Sequence, residues 1–231
     1  MPAIDKIIWQ ALTTRQTEFA EGSGSARRFA KEVTLLSAFE EANDEGYADL
    51  GTVVGEGGTS AVFLNTPYEP RPGWEWIAGA PLLQMICENG ADLQGSDSES
   101  VPKIVELGLK DSPEMIELTT LTKPGPFGPR THELGTYLGI REGGRLAAMA
   151  GERLKVPGFT EISAVCTHPD HLGRGHAGRL MAEIMRGIQR RGETPILHVR
   201  ADNARAIAVY ERLGFRTNYS GHFAVLRKLK S

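Results

Sequence analysis

Between residues 161 and 215 the chain sets out several groups in a fixed order. These are a carboxylate at Glu161, an apolar run from Ile162 to Thr167, and a glycine-rich turn, Leu172-Gly173-Arg174-Gly175-His176-Ala177. A second apolar run, Ile196-Leu197-His198-Val199, follows, and then Asn203 with Tyr210 seven residues on. After the turn, Ala177, Leu180, Met181, Ile184, Met185 and Ile188 recur at three- and four-residue steps, which is one apolar face of a helix. Arg190 and Arg191 suit the negative end of that helix, and Gly192 suits its left-handed cap. A loop with glycines at 173, 175 and 178 therefore leads into a helix N-terminus, where unpaired N–H groups and the helix dipole favour a phosphate or pyrophosphate. An ordinary connection between strand and helix is the plainer alternative. No G-x-x-x-x-G-K-[ST] string occurs. Asn203 is a good helix N-cap and Gly214 a good C′ residue, and Tyr210 lies two turns along the same face as the cap.

The stretch Thr167-His168-Pro169-Asp170-His171-Leu172-Gly173-Arg174-Gly175-His176-Ala177 resembles the acyl-CoA-binding signature [QR]-x-x-G-x-[GA] of the GCN5-related N-acetyltransferases, with Leu172 standing where Gln or Arg is usual. Downstream, Asn203 to Phe215 is similar to that family's N-x-x-A-x-x-x-Y-x-x-x-G-F element. The resemblance, to the C-terminal-type (FR47-like) branch, covers about residues 101 to 230 and implies acetyl-CoA as co-substrate. It implies that the amides of Leu172, Gly173, Arg174, Gly175, His176, Ala177 and Gly178 wrap the pyrophosphate. By the same resemblance the backbone of Val165, Cys166 and Thr167, together with Asn203, holds the pantetheine arm, and Tyr210 protonates the departing thiolate. Glu161, at a spacing similar to that of histone-type members, is implied as the base. The chemistry needs one, because a primary ammonium is deprotonated in only roughly one molecule in a thousand at pH 7. A carboxylate in a partly apolar cleft can have its pKa raised toward neutrality. The bland alternatives are a solvated Glu161 at the strand edge, an Asn203 that only caps and a Tyr210 that only packs; His168, His171 and His198 are other candidate bases.

These groups need a sheet and helices to hold them. The implied fold class is α/β, a mixed, mainly antiparallel sheet with flanking helices. We expect residues 101–231 to form the acetyltransferase domain, 89–100 a linker rich in Asn, Gly, Asp and Ser, and 1–88 a smaller α/β domain, suggested by the resemblance to be a degenerate copy of the same fold. Within 1–88, Ile8, Trp9, Leu12 and Phe19 predict one helix, and Phe29, Val33, Leu36 and Phe39 another. Ala61 to Leu64 and Leu82 to Cys87 predict short strands, and Pro67, Pro70, Pro72 and Gly73 an irregular loop. Ile104 to Leu107 predicts a strand and Ser112-Pro113-Glu114 the start of a helix through Leu121. The segment Lys123 to Arg130 cannot be regular with three prolines and two glycines, so it is either a rigid linker or, by the resemblance, the acceptor side, with Phe127 and Arg130 as substrate contacts. Glu142-Gly143-Gly144 marks a hairpin.

A formal net charge of −3 over 231 residues argues against a broad nucleic-acid footprint. Cys87 and Cys166 are too few for a disulfide framework, and an apolar strand makes Cys166 inert as a nucleophile. No run approaches a membrane span and no signal pattern opens the chain, so a cytoplasmic protein is expected. His168, His171 and His176 lack the further carboxylate or thiolate ligands a metal would need. The expected partner is a small-molecule or peptide amine acceptor, with neither nucleic acid nor membrane; monomer and homodimer stay equally open. Competing functions are transfer of a longer acyl group, glycine-type N-acyl transfer, and CoA sensing without turnover.

Overall fold

The computed structural model describes residues 6–88 and 102–230. The expected linker 89–100 lies outside the described residues. Among the described residues five α-helices, α1 (Ile7–Thr13), α2 (Asp44–Val54), α3 (Ser112–Thr122), α4 (His176–Arg190) and α5 (Ala204–Arg212), flank eleven strands. The strands are β1 (Ala20–Glu21), β2 (Ala26–Phe29), β3 (Ser37–Phe39), β4 (Thr59–Leu64), β5 (Trp74–Ile86), β6 (Ile104–Leu107), β7 (Tyr137–Glu142), β8 (Arg145–Val156), β9 (Phe159–Thr167), β10 (Thr194–Arg200) and β11 (Arg216–Lys228). The first three make a small antiparallel sheet, and the other eight a single sheet in the order β4-β11-β5-β10-β9-β8-β7-β6. Only β9 and β10 pair in parallel there; every other neighbouring pair is antiparallel. The mixed, mainly antiparallel sheet expected from the sequence is the one observed.

The expected division at residue 88 does not separate two sheets. β4 and β5, both drawn from residues 1–88, flank β11, and β5 also pairs with β10. Cross-strand pairing over more than a hundred residues leaves no local signature in the sequence, and for that reason a polar loop reads as a domain boundary. A second expectation also fails: Phe29, Val33, Leu36 and Phe39 are all buried, but Phe29 lies in β2, Val33 in a turn, Leu36 at an isolated bridge to Ala61 and Phe39 in β3, rather than on a helix. Three- and four-residue spacing of buried groups does not distinguish a helix from a short hairpin whose connecting segment also buries a few of its residues. The expected short strand at Leu82 is the end of a thirteen-residue strand that already contains Trp74 and Trp76.

The periodicity after the glycine turn does form a helix. Leu180, Met181, Ile184, Met185 and Ile188 of α4 are buried together with Ile162, Leu197, Val199 and Phe215, and α5 packs Ala206, Ile207, Val209 and Tyr210 against the same cluster. Gly192 closes α4 in the left-handed region at φ 73. Other apolar clusters carry α1 against Leu154, Val156 and Ile196, and α3 against Tyr137, Met149 and Cys166. The sheet is thereby held between helices while its centre, between β9 and β10, is left to open.

Candidate active site

Pairing between β9 and β10 begins at Phe159 with Thr194 and stops at Ile162 with Leu197. Beyond that point Ser163–Thr167 and His198–Arg200 diverge, and β10 keeps its pairing with β5 through Arg200. The parting is built into β9: the register with β8 passes from Met149–Cys166 to Gly151–Ser163, so Ala164 and Val165 together face Ala150. Ala164 sits at φ 53, a left-handed conformation that costs an L-residue about 1–3 kcal/mol. Such a bulge redirects the backbone of Ala164–Val165 away from ladder pairing and toward the gap.

A cleft of about 1440 Å³ runs through this opening. At one end lies the turn from Leu172 to Gly178. Gly173 and Gly175 stand at φ 80 and 76, Gly175 precedes the first residue of α4, and no side chain caps the helix. Among the described residues no acceptor is found for the amides of Gly173 to Gly178. A Cβ placed on Gly173, Gly175 or Gly178 would meet nothing within 4 Å, so the space in front of these amides is open. The turn suits a diphosphate: it offers convergent N–H donors, a helix dipole and room. The three glycines fall at the G-x-G-x-x-G spacing shared with dinucleotide-binding folds, but those need a parallel sheet, whereas β9 lies in a mainly antiparallel one.

Glu142, read from the sequence only as part of a hairpin, anchors this turn. Its carboxylate accepts from His176 Nε2 at 2.7 Å, contacts His171 Nδ1 at 3.1 Å and pairs with Arg174. Although desolvation opposes it, the His176 hydrogen bond and the Arg174 charge hold the Glu142 carboxyl below its ordinary range.

Further along the cleft, Asn203 caps α5 by accepting from the Ala206 amide at 3.1 Å, which leaves its NH₂ group for a ligand. Tyr210 lines the cleft, and its hydroxyl, pushed up to about 12 by burial with Cys166 nearby, stays protonated at neutral pH. Burial likewise pushes the Cys166 thiol up to about 11, in keeping with an inert residue.

Glu161 differs from the expectation. It is completely buried and is not among the cleft-lining residues. Its Oε2 accepts from Arg153 Nε at 2.8 Å, and its Oε1 from Arg153 Nη2 at 2.7 Å and His198 Nδ1 at 2.7 Å. Burial would raise this carboxyl, but the Arg153 guanidinium and the His198 hydrogen bond outweigh it and hold it at about 2. A raised carboxylate poised to take a proton is therefore replaced by a sealed anion. What reaches the cleft from this cluster is His198 and Arg153. The imidazole also meets Gln84 Nε2 at 3.0 Å and lies against the Phe63 ring, with centroids 4.7 Å apart.

The two substrate-side expectations divide. Phe127 lines the cleft, stacked edge-on to Tyr137. Arg130 does not: it is exposed and bound to Glu133 through two hydrogen bonds of 2.8 and 2.7 Å, outside the cleft. Val165, Cys166, Thr167, Leu172 to Gly178, Asn203 and Tyr210 are brought to one cavity.

A protein of the GNAT family from Novosphingobium aromaticivorans DSM 12444, known from its crystal structure, is 38% identical over 98% of this chain and 99% of its own, with a TM-score of 0.87. The chain belongs to the GCN5-related N-acetyltransferase (GNAT) family. Residues 137–223 of this GNAT protein match the family model described as FR47-like protein. Over 83 residues it is 39% identical to the N-alpha-acetyltransferase RimI of Mycobacterium tuberculosis, and over 60 residues 42% identical to the mycothiol acetyltransferase of Corynebacterium aurimucosum. These matches take in 35% and 26% of this chain, and the chain spans 51% and 20% of the two relatives. A GCN5-related N-acetyltransferase from Kribbella flavida shares the fold of this GNAT chain at full length, with a TM-score of 0.62 and 15% identity, covering 98% of that protein.

Proposed function

We propose that this GNAT protein transfers an acetyl group from acetyl-CoA to a primary amine. The observation that carries the reading is the opening between β9 and β10, which connects a turn of unpaired amides to the Tyr210 hydroxyl and the His198 ring. In this reading the amides from Gly173 to Gly178 hold the pyrophosphate of coenzyme A. The bulged backbone at Ala164–Val165 and the Asn203 amide hold the pantetheine and orient the thioester. The amine attacks the carbonyl carbon directly, its N–C bond forming as the C–S bond breaks. The thiolate takes its proton from Tyr210, and the amine gives one up to the protein.

The group we assign to that last step is His198 rather than Glu161. An anion at about 2, closed off by Arg153, is a weak and inaccessible base, whereas the imidazole lines the cleft. Glu161 then acts as a positioning residue: it fixes Nδ1–H of the ring and gains strength as a partner when the ring becomes cationic. Gln84, now on Nε2, would yield that place to the amine or to a water between them.

The test is thiol release from acetyl-CoA across a panel of primary amines. Amine-dependent thiol release supports the reading. Acetyl-CoA that stabilises the protein, by about 2.7 kcal/mol at 100 times its dissociation constant, yet yields no thiol with any amine would replace it with that of a CoA sensor.

A further inference from the structure

We propose that the acceptor carries a carboxylate a few bonds from its amine and an apolar side group, and that Nη1 of Arg153 receives the carboxylate. The proposal rests on the acetyl-transfer reading for the identity of the cleft, and names the substrate class of its far end. Arg153 uses Nε and Nη2 on Glu161, and among the described residues Nη1 has no partner. The side chain is only 7% exposed, and Nη1 lies 3.8 Å from where a Cβ on the cleft-lining Gly125 would stand. A nearly buried guanidinium with one pair of N–H groups left over, beside a cavity, is a ready recognition element for an oxyanion.

Its place in the cluster fits the amine as well. Arg153 Nη2 and His198 Nδ1 converge on one oxygen of Glu161, so guanidinium and imidazole are neighbours, and an amine at the ring brings a nearby carboxylate to Nη1. Phe63, which lies against the His198 ring, and Ala78, Leu82, Phe127 and Phe223 line the same cleft and suit an apolar side group. Recognition of a polycation would need carboxylates along the path. Among the described residues no Asp or Glu lines the cleft; Glu161 spends both oxygens on Arg153 and His198, and Glu142 is engaged with His171, Arg174 and His176. A polyamine or a lysine-rich tail therefore finds nothing here to pair with.

Two measurements test this. In the first, phenylalanine, phenylalaninamide, phenethylamine and spermidine are titrated by calorimetry into the protein saturated with CoA, which needs no turnover. Phenylalanine should bind at least roughly tenfold more tightly than phenethylamine, as expected for a hydrogen-bonded charge, and spermidine should not bind. Equal binding of phenylalanine and phenethylamine, preference for the amide or for spermidine, or binding by none of the four overturns the proposal. In the second, thiol release is compared for phenylalanine and phenethylamine in the wild type and in Arg153→Lys, which keeps the charge but lacks Nη1. The variant, once shown to bind acetyl-CoA, should lose the preference for phenylalanine; a retained preference counts against Arg153. Carboxylate-dependent binding without thiol release would leave this assignment standing and sink acetyl transfer instead.

Discussion

Glu161→Gln separates a buried structural anion from a solvated base. The carboxylate accepts three N–H groups, two from Arg153 and one from His198, with no access to water. A carboxamide offers one acceptor oxygen and turns a second donor toward groups that are themselves donors. Breaking a buried pair from one side costs about 3–5 kcal/mol. Linkage gives a similar figure: lowering the carboxyl from 4.5 to about 2 corresponds to stabilisation on the order of 3 kcal/mol. Because the folded-state pKa lies below the unfolded one, this stability is complete above about pH 4.5 and is lost as the pH falls toward 2. Glutamine does not titrate, so the gap between wild type and variant should be full at pH 7 and roughly 1 kcal/mol smaller by pH 3.5. Urea unfolding followed by the fluorescence of Trp9, Trp74 and Trp76 measures it at both pH values. A loss under about 1 kcal/mol at pH 7, or a gap that does not narrow on acidification, would refute the sealed-anion account.

Tyr210→Phe should slow turnover by roughly 10²-fold or more while acetyl-CoA still binds; full activity would reduce the tyrosine to packing. With its hydroxyl pushed up to about 12, Tyr210 should impose no alkaline limb on the rate between pH 7 and 10, and such a limb abolished in the phenylalanine variant would contradict this. Ala164→Val places a β-branched residue at φ 53 and should cost about 1–3 kcal/mol with loss of turnover, whereas Ala164→Gly should keep the fold; thermal unfolding of the pair checks the bulge. Gly175→Val combines backbone strain at φ 76 with a side chain in the open space before the amides, and calorimetry should find acetyl-CoA binding strongly weakened. Wild-type affinity would take the turn out of the cofactor site.

What the sequence reveals here is local. The glycine turn, the apolar face of α4 and the cap at Asn203 are each encoded within a few residues, and each forms as expected. Glu161 could not be interpreted alone, because its state depends on Arg153 across the β8–β9 pairing and on His198 from β10. A signal was nonetheless present: Arg153, Glu161 and His198 are ionisable residues set within three strands rich in apolar residues, and three such residues buried without mutual pairing would be prohibitively costly. Glu142 gave less warning, since Glu-Gly-Gly is already explained by the turn it makes, and its grip on His171, Arg174 and His176 depends on where the β7–β8 hairpin lies in space. Arg130 shows the opposite error: a cation beside a proline-rich loop was satisfied three residues away by Glu133.

The position of β11 between β4 and β5 bears on how the chain can be made. On the ribosome β4 and β5 emerge long before the strand that joins them, and β5 must also wait for β10. Until then their unpaired edges are exposed templates for other nascent chains, a hazard that chaperones or slow handling must cover. An expression boundary drawn around residues 137–223, the stretch matched as FR47-like, would remove β5 and strip β10 and β11 of a shared neighbour. Such a fragment should aggregate rather than fold into a smaller enzyme.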